Sequence, residues 1–475
     1  MSKQVKVFML IMCLSLLVYI PIINKGLASD DFGVLHRVVV GKIFYLDGFF
    51  RPLSDLSLYF CYLIGGFSGW IYNLFNILLH SASAFLLYKS CLLLFNKSNK
   101  DSIIAITSAI FFVIYPFHNE AVVWVVGRAS NLSCFLAFSA LYLTLSGKLS
   151  LLRGILVALL FFGSLSTYET SITLPIIAAL LLWLKYPNEK RWLTALLLLG
   201  GVVILNLLIR IFLVKEIVGE YGSRMFDPSL VNNLIKFLKT AGRLFLPPMP
   251  HTQLMVILAS VVFIMIGVIF VLFWKKELLA KKQFMIISAC VLFSCTIPFL
   301  FGVNTRTIEG DRLLYFPSYF LCIWISLTMI NLLNQQNYFR LALVFGLYFF
   351  IFLQVNNYTW RKADQICKTI LDDMSNLRTS HDQMLICRLP EEYKGAHVFR
   401  NGFIEALIIN GIDTSGLRIG SFQGPSENAG LGQIFHPSTE NAVKSLVGDS
   451  IVERLGNNPE IPIIYWNNQN LVFFR

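Results

Sequence analysis

The sequence predicts an all-α polytopic membrane protein of about eleven transmembrane helices with a small α/β domain toward its C-terminal end, and three observations predict it. Of the 475 residues, 56% are hydrophobic and only 14% are charged, and the mean hydropathy of +0.67 lies outside the range of soluble globular domains. Apolar runs of spanning length recur from the N-terminus to residue 355. After Tyr358 the composition becomes that of a soluble unit of about 115 residues, an ordinary domain size.

A spanning helix needs about 20 apolar residues, and by that measure spans are expected at 6–23, 71–95, 102–116, 129–146, 152–166, 171–185, 192–213, 252–274, 284–303, 313–333 and 339–355. Those at 102–116 and 152–166 are short and would have to tilt or run into neighbouring residues. A transmembrane domain, 1–356, is thus followed by an extracytoplasmic domain, 357–475. The first contains two long outer loops, 24–70 and 215–251. The second of these carries Leu and Phe around 234–245 and leaves through Pro247, Pro248 and Pro250, which suits a helix lying along the interface. In the C-terminal domain a helix is expected at 361–377, with β-like runs at 384–389 and 462–466. The second run turns through Asn467, Asn468 and Asn470 into 471–474 as a hairpin.

Charge sets the orientation. Alternate loops carry Lys97 and Lys100, then Lys148 and Arg153, then Lys185, Lys190 and Arg191, then Lys275, Lys276, Lys281 and Lys282, which marks them as cytoplasmic. Lys3 and Lys6 place the N-terminus on the same side, and an odd number of spans puts the C-terminal domain outside. The net charge of +12 is then a matter of topology, and no nucleic-acid partner is expected. The run from Val7 to Ile23 resembles a signal peptide without a clean small-residue cleavage site, so it reads as an uncleaved first helix. Seven of the nine cysteines sit singly in apolar segments, as small hydrophobes. Cys367 and Cys387 lie in the polar region, where an oxidising compartment would let them pair.

The chain is organised around residues 29–58, which gather Asp30, Asp31, His36, Arg37, Asp47, Arg51 and Asp55 beside the membrane. A plain connector needs no such set. Asp30 and Asp31 follow the first span directly, where a carboxylate is costly unless hydrated, paired or used. Such an acid is either a general base for an acceptor hydroxyl or a solvated charge at a helix end. His118 and Glu120 follow Pro116, which ends the third span, and Arg128 opens the fourth. They read as a polar catalytic rim or as ordinary loop polarity. Two ligands at this spacing specify no metal, so a divalent ion is allowed and no cofactor is assigned.

Glu169, in the short STYETS connection, is either a site residue or a first-turn Glu capped by Ser166 or Thr167. Asn73, Asn76, His80 and Ser83 form a stripe along the second span, which packs against a helix or lines a cavity. Arg306, Glu309, Asp311 and Arg312 enter the tenth span from outside. An Arg fork there suits the phosphate oxygens of a lipid, or else pairs with Asp311 and Glu309 at the interface.

Taken in order, the acidic pair, FRPLSDLSLYF, YNLFNILLHSASAFLLY, PFHNEAVVWVVGRASNLSCF and EGDRLLYFPSYFLC resemble the membrane portion of GT-C glycosyltransferases. They are most similar to the transmembrane O-mannosyltransferases that carry tetratricopeptide repeats, and to bacterial relatives, over residues 25–330. The resemblance implies a GT-C-like, inverting enzyme, in the inner or plasma membrane if the protein is bacterial. It would move a sugar from a polyprenyl-phosphate carrier to a glycan, lipid or protein acceptor on the non-cytoplasmic face. It further implies that Asp30 and Asp31 are catalytic and that Arg312 meets the donor phosphate; on this basis Arg128 and Arg51 are expected to help Arg312 bind the phosphate, and His118, Glu120, Glu169, Asp311 and His80 to support the site. Two departures leave the acceptor open. No tetratricopeptide array is present in these 475 residues, and Tyr168 and Glu169 stand where the family has a Lys-Glu pair. Two other readings remain: a polymerase or ligase using a diphosphate-linked glycan, and a lipid-glycan transporter, which would need broken helices in related halves.

Overall fold

The structure, a computed structural model, describes residues 2–44, 50–95, 99–214, 229–378, 384–386, 389–415, 417–419, 463–466 and 469–473. It is 77% helical. Among the described residues seven helices are long and apolar enough to cross a membrane: Lys3–Ile22, Gly69–Phe95, Arg128–Ser146, Arg191–Leu213, Gln253–Trp274, Asp311–Leu332 and Gln335–Arg378. Ser102–Ile114 and Pro116–Val122 meet at 54° and make an eighth if counted together. The protein is therefore a polytopic membrane protein.

At three expected spans the helices are shorter: Leu151–Leu165 has 15 residues, Leu174–Lys185 has 12 and Leu278–Ser294 has 17. At 1.5 Å per residue these rise about 18 to 26 Å, short of a hydrocarbon core of about 30 Å. Length and composition thus carry seven or eight spans rather than eleven. Each short helix has a local stop: the polar Ser166–Thr167 pair, Pro187 two residues past Lys185, and a break at Cys295 before the separate helix Thr296–Phe301.

The span Asp311–Leu332 is 94% buried and lies at the centre, whereas Gln253–Trp274 is 11% buried and shows Ile257, Val261, Ile264 and Val268 outward. An all-apolar helix with an exposed face is stable only where lipid covers it. The centre is held by aromatic packing: Phe138 stacks on Tyr319 at 3.8 Å between centroids, and Phe112 meets Tyr315 edge-on at 5.3 Å. Two further helices occupy the loop between the first two spans. Asp30–Val39 begins at the acidic pair, whose negative charges suit a helix N-terminus, and Pro52–Gly65 begins with a proline, whose missing N–H costs nothing there.

Gln335–Arg378 is a single helix of 44 residues, about 66 Å long, twice what a bilayer core requires. The expected domain boundary at 356/357 therefore falls inside one continuous helix, and the expected helix at 361–377 is its continuation. Beyond it, among the described residues, strands β1 (Met384–Ile386), β2 (Glu392–Tyr393), β3 (Ala396–His397), β4 (Leu417–Ile419), β5 (Ile463–Trp466) and β6 (Leu471–Phe473) form two small sheets. One has the order β4-β1-β5-β6, parallel except for the antiparallel pair β5–β6, and the other pairs β2 with β3. The long helix anchors both ends of this unit, because Asp373 accepts from the Leu471 N–H at 2.8 Å and Arg378 pairs with Asp413 at 2.8 Å. Cys367 is buried and donates to the Val398 carbonyl at 3.5 Å; its expected partner Cys387, like Asp47, lies outside the described residues.

Candidate active site

Four segments far apart in sequence meet at one set of helix ends: the start of helix Asp30–Val39, residues 116–128, residues 304–312, and residues 394–403. Asp31 is fully buried, and both its oxygens are used. Oδ2 accepts from the Ala28 N–H and Oδ1 from the Val126 N–H, each at 2.9 Å. Burial pushes its carboxyl up to about 6, against the opposing pull of Lys25 and of the two backbone N–H groups. Asp30 sits differently. Its side chain is 24% exposed, Oδ1 accepts from Asn401 Nδ2 at 2.7 Å, and Oδ2 lies 3.8 Å from the Arg400 guanidinium.

Glu120, also buried, grips Arg312 twice, accepting from its backbone N–H at 2.9 Å and pairing with its guanidinium. Two bonds from one carboxylate fix both the chain and the side chain at the entrance to the central helix. The Arg312 side chain stays 24% exposed and its guanidinium carbon lies 5.3 Å from the Trp124 ring centroid, in cation–π range. Asp311, the neighbour expected to assist Arg312, turns away and pairs with Arg243 from helix Leu230–Arg243. Arg243 also donates to the Asn304 carbonyl at 3.0 Å and the Leu246 carbonyl at 2.6 Å. The amphipathic segment expected to lie along the interface is thereby tied to the loop that carries Arg312.

A second polar group forms on the same rim. Glu169 pairs with Arg210 at 2.5 Å and with Arg51 at 3.7 Å, and Arg51 stacks over Tyr168 at 4.6 Å. Burial works to raise the Glu169 carboxyl, but the two guanidinium groups more than offset it and hold it below its ordinary value. The capping role expected of Ser166 or Thr167 is not seen, since Tyr168 occupies the cap position and makes no side-chain cap bond. The two groups adjoin, because Tyr168 packs in one apolar cluster with Ala129 and Leu313, next to Arg128 and Arg312.

Three expected site residues sit elsewhere. Arg128 is fully buried and donates to Asn76 Oδ1 at 2.6 Å, to the Ser57 carbonyl at 3.0 Å and to the Tyr72 carbonyl at 3.0 Å. It clamps three helices together rather than facing a ligand. His118 and His80 lie in the aromatic centre, with His118 Nε2 at 2.6 Å from Ser318 Oγ and His80 Nδ1 at 2.8 Å from the Tyr315 hydroxyl. The stripe to which His80 belongs is buried along its length, and Asn73 donates to three carbonyls, of Ile22, Ile23 and Lys25. It serves packing. Asp55 pairs with Arg37 at 2.8 Å and so braces the two loop helices against each other.

Residues that sequence reasoning passed over include Arg210, Arg243, His397, Arg400 and Asn401. Arg210 had a signal, an arginine inside an apolar span with Asn206 one turn before it, where an ionisable group is costly unless partnered. The others had none, because their partners lie far along the chain. Among the described residues no group of three or more His, Cys, Asp or Glu side chains is arranged to hold a metal ion.

Comparison with known proteins shows local similarity to protein O-mannosyl-transferases. The chain is 41% identical over 80 residues to protein O-mannosyl-transferase tmtc2 of Xenopus laevis, a match covering 17% of this chain and 9% of that protein. It is 35% identical over 91 residues to TMTC3 of Homo sapiens, covering 19% and 9%. With Tmtc3 of Drosophila melanogaster it shares 36% over 106 residues, covering 18% and 11%. The match thus spans about a tenth of the length of these relatives. No family model matches the chain.

Proposed function

We propose that this protein is an integral-membrane glycosyltransferase of the GT-C type, which moves a sugar from a polyprenyl-phosphate carrier to an acceptor hydroxyl on the non-cytoplasmic face. The observation that carries the reading is the meeting of the acidic pair with the Glu120-held Arg312 on one rim, next to exposed apolar helix faces. Local similarity to enzymes named for O-mannosyl transfer to protein supports it and makes a protein hydroxyl the first acceptor to test, ahead of a glycan or lipid.

In this reading Asp30 is the base. Its carboxylate is partly exposed, whereas both oxygens of Asp31 are already bonded to N–H groups. Asp30 takes the proton from the acceptor hydroxyl, and the oxygen attacks the anomeric carbon from the side opposite the phosphate. The bond from that carbon to the phosphate oxygen breaks with its electron pair going to the phosphate, so the configuration inverts. Arg312, with Arg51 across the rim, stabilises the charge that builds on the leaving phosphate. Asp31 keeps the base in place by tying its helix to residue 126. Arg128, buried and saturated, contributes packing only.

Purified protein in liposomes, offered a monophosphate-linked sugar and a diphosphate-linked glycan on the same polyprenyl chain, tests the reading. Transfer from the monophosphate donor is expected, falling about 100-fold in Arg312→Ala, the scale seen when one stabilising donor is removed. Transfer from the diphosphate donor alone would move the protein to the polymerase and ligase class.

A further inference from the structure

We propose that residues 396–402, which lie beyond the last membrane helix, are part of the catalytic site, with Asn401 and Arg400 acting as positioning residues for the Asp30 carboxylate. The proposal rests on Asp30 being the base, as argued above. Asn401 Nδ2 fixes Oδ1 at 2.7 Å, which leaves Oδ2 as the oxygen turned toward Arg400 at 3.8 Å. Arg400 is itself held, by Glu309 at 2.5 Å. Glu309 lies three residues before Arg312, so a single arginine links the loop of the proposed phosphate-binding residue to the proposed base.

The backbone around these side chains is built for close contact. Ser29, just before Asp30, has φ +51°, a conformation that residues with a side chain seldom adopt. It is held there from the C-terminal segment: its N–H donates to the Val398 carbonyl at 2.8 Å, and its hydroxyl accepts from the Asn401 N–H at 3.3 Å. Gly402, at φ +77°, lies so close that a Cβ there would come within 2.5 Å of the Ser29 carbonyl oxygen. Phe399 stacks on Phe32 at 6.1 Å between centroids and seals the apolar side. His397 extends the same contact inward, fully buried between Trp124 and Trp360 and 3.5 Å from Glu120. A segment that merely docked on the membrane domain would not need to hold a strained residue next to the base and also place two polar side chains on the base itself.

The test uses the full chain in liposomes with a polyprenyl-monophosphate sugar, and reads two quantities. The first is transfer: Asn401→Ala and Arg400→Ala should each lower kcat about tenfold or more, the scale of a bond to a charged group, with KM for the acceptor little changed. Arg400→Lys should recover part of the loss, and Gly402→Ala should reproduce it without removing a polar group. The second is modification of Asp30 by a water-soluble carbodiimide, read by mass spectrometry on the tryptic peptide 26–37, which lies between Lys25 and Arg37. The alanine variants should be modified faster than wild type. Unchanged kcat in both alanine variants, or a rise in KM alone, overturns the proposal. If wild type transfers no sugar from any donor, the function proposed above fails, and an unchanged modification rate would then show that the contact on Asp30 is also wrong.

Discussion

Asp31 is a carboxylate that the fold has buried and then supplied with two backbone N–H groups and nearby Lys25. The balance falls on the side of burial, and its pKa rises from 3.8 to about 6. The folded state therefore binds this proton more tightly than the unfolded chain, and the ionised group costs stability above pH 6, a cost that fades as the pH falls toward 4. A shift of this size corresponds to about 3 kcal/mol. Thermal unfolding in detergent should show a gain in Tm between pH 7.5 and pH 5 that Asp31→Asn lacks. That variant should also lose about 1–3 kcal/mol at pH 5, because its NH2 must face one of two N–H donors. An identical pH slope in both proteins would refute the assignment. Asp30, Asp31, Glu120 and Arg312 were legible in the sequence because each interrupts or ends an apolar run, where a charge needs a reason. Asn401 was not, since it meets Asp30 across 371 residues and no local pattern encodes such a contact.

At the scale of elements, helix Leu230–Arg243, the segment expected along the interface, is fixed to the loop that carries Arg312. Its Ser229 cap accepts from the Asn232 N–H at 3.3 Å, and its last residue, Arg243, is buried against Asp311. Breaking one half of a buried pair leaves an unpaired charge, at a cost of about 3–5 kcal/mol. Arg243→Leu should therefore destabilise the protein by that amount, and the double variant with Asp311→Leu should recover most of it. Equal losses in the single and double variants would show that the pair does not couple. The amphipathic pattern of this helix was readable, but its partner was not, because burial of an arginine at a helix end is a tertiary event. Helices Asp30–Val39 and Pro52–Gly65 were not assigned for a different reason: at 10 and 14 residues each is too short for a span, so both fell within the expected first outer loop. The same limit of length separates the seven or eight apolar helices of spanning length from the eleven expected.

At the scale of the whole molecule, the expected topology puts the Lys- and Arg-rich loops at one set of helix ends and the candidate rim at the other. If the basic loops face the cytoplasm, a cysteine placed at Lys190 should react with a membrane-impermeant maleimide only after right-side-out vesicles are opened, and one at Glu391 should react at once. The reverse pattern would invert the topology. The 44-residue helix Gln335–Arg378 was legible as a span and as a soluble helix, but not as one rod, because composition changes midway while helical geometry does not. That rod is what lets the C-terminal segment return to Asp30. The central claim, that the rim is a sugar-transfer site with Asp30 as its base, is met most directly by one measurement: transfer of labelled sugar from a polyprenyl-monophosphate donor by wild type and by Asp30→Asn in liposomes. Wild type should transfer the sugar, and Asp30→Asn, inserting and unfolding like wild type, should lose about 100-fold or more of that activity. Full transfer by Asp30→Asn would contradict the claim.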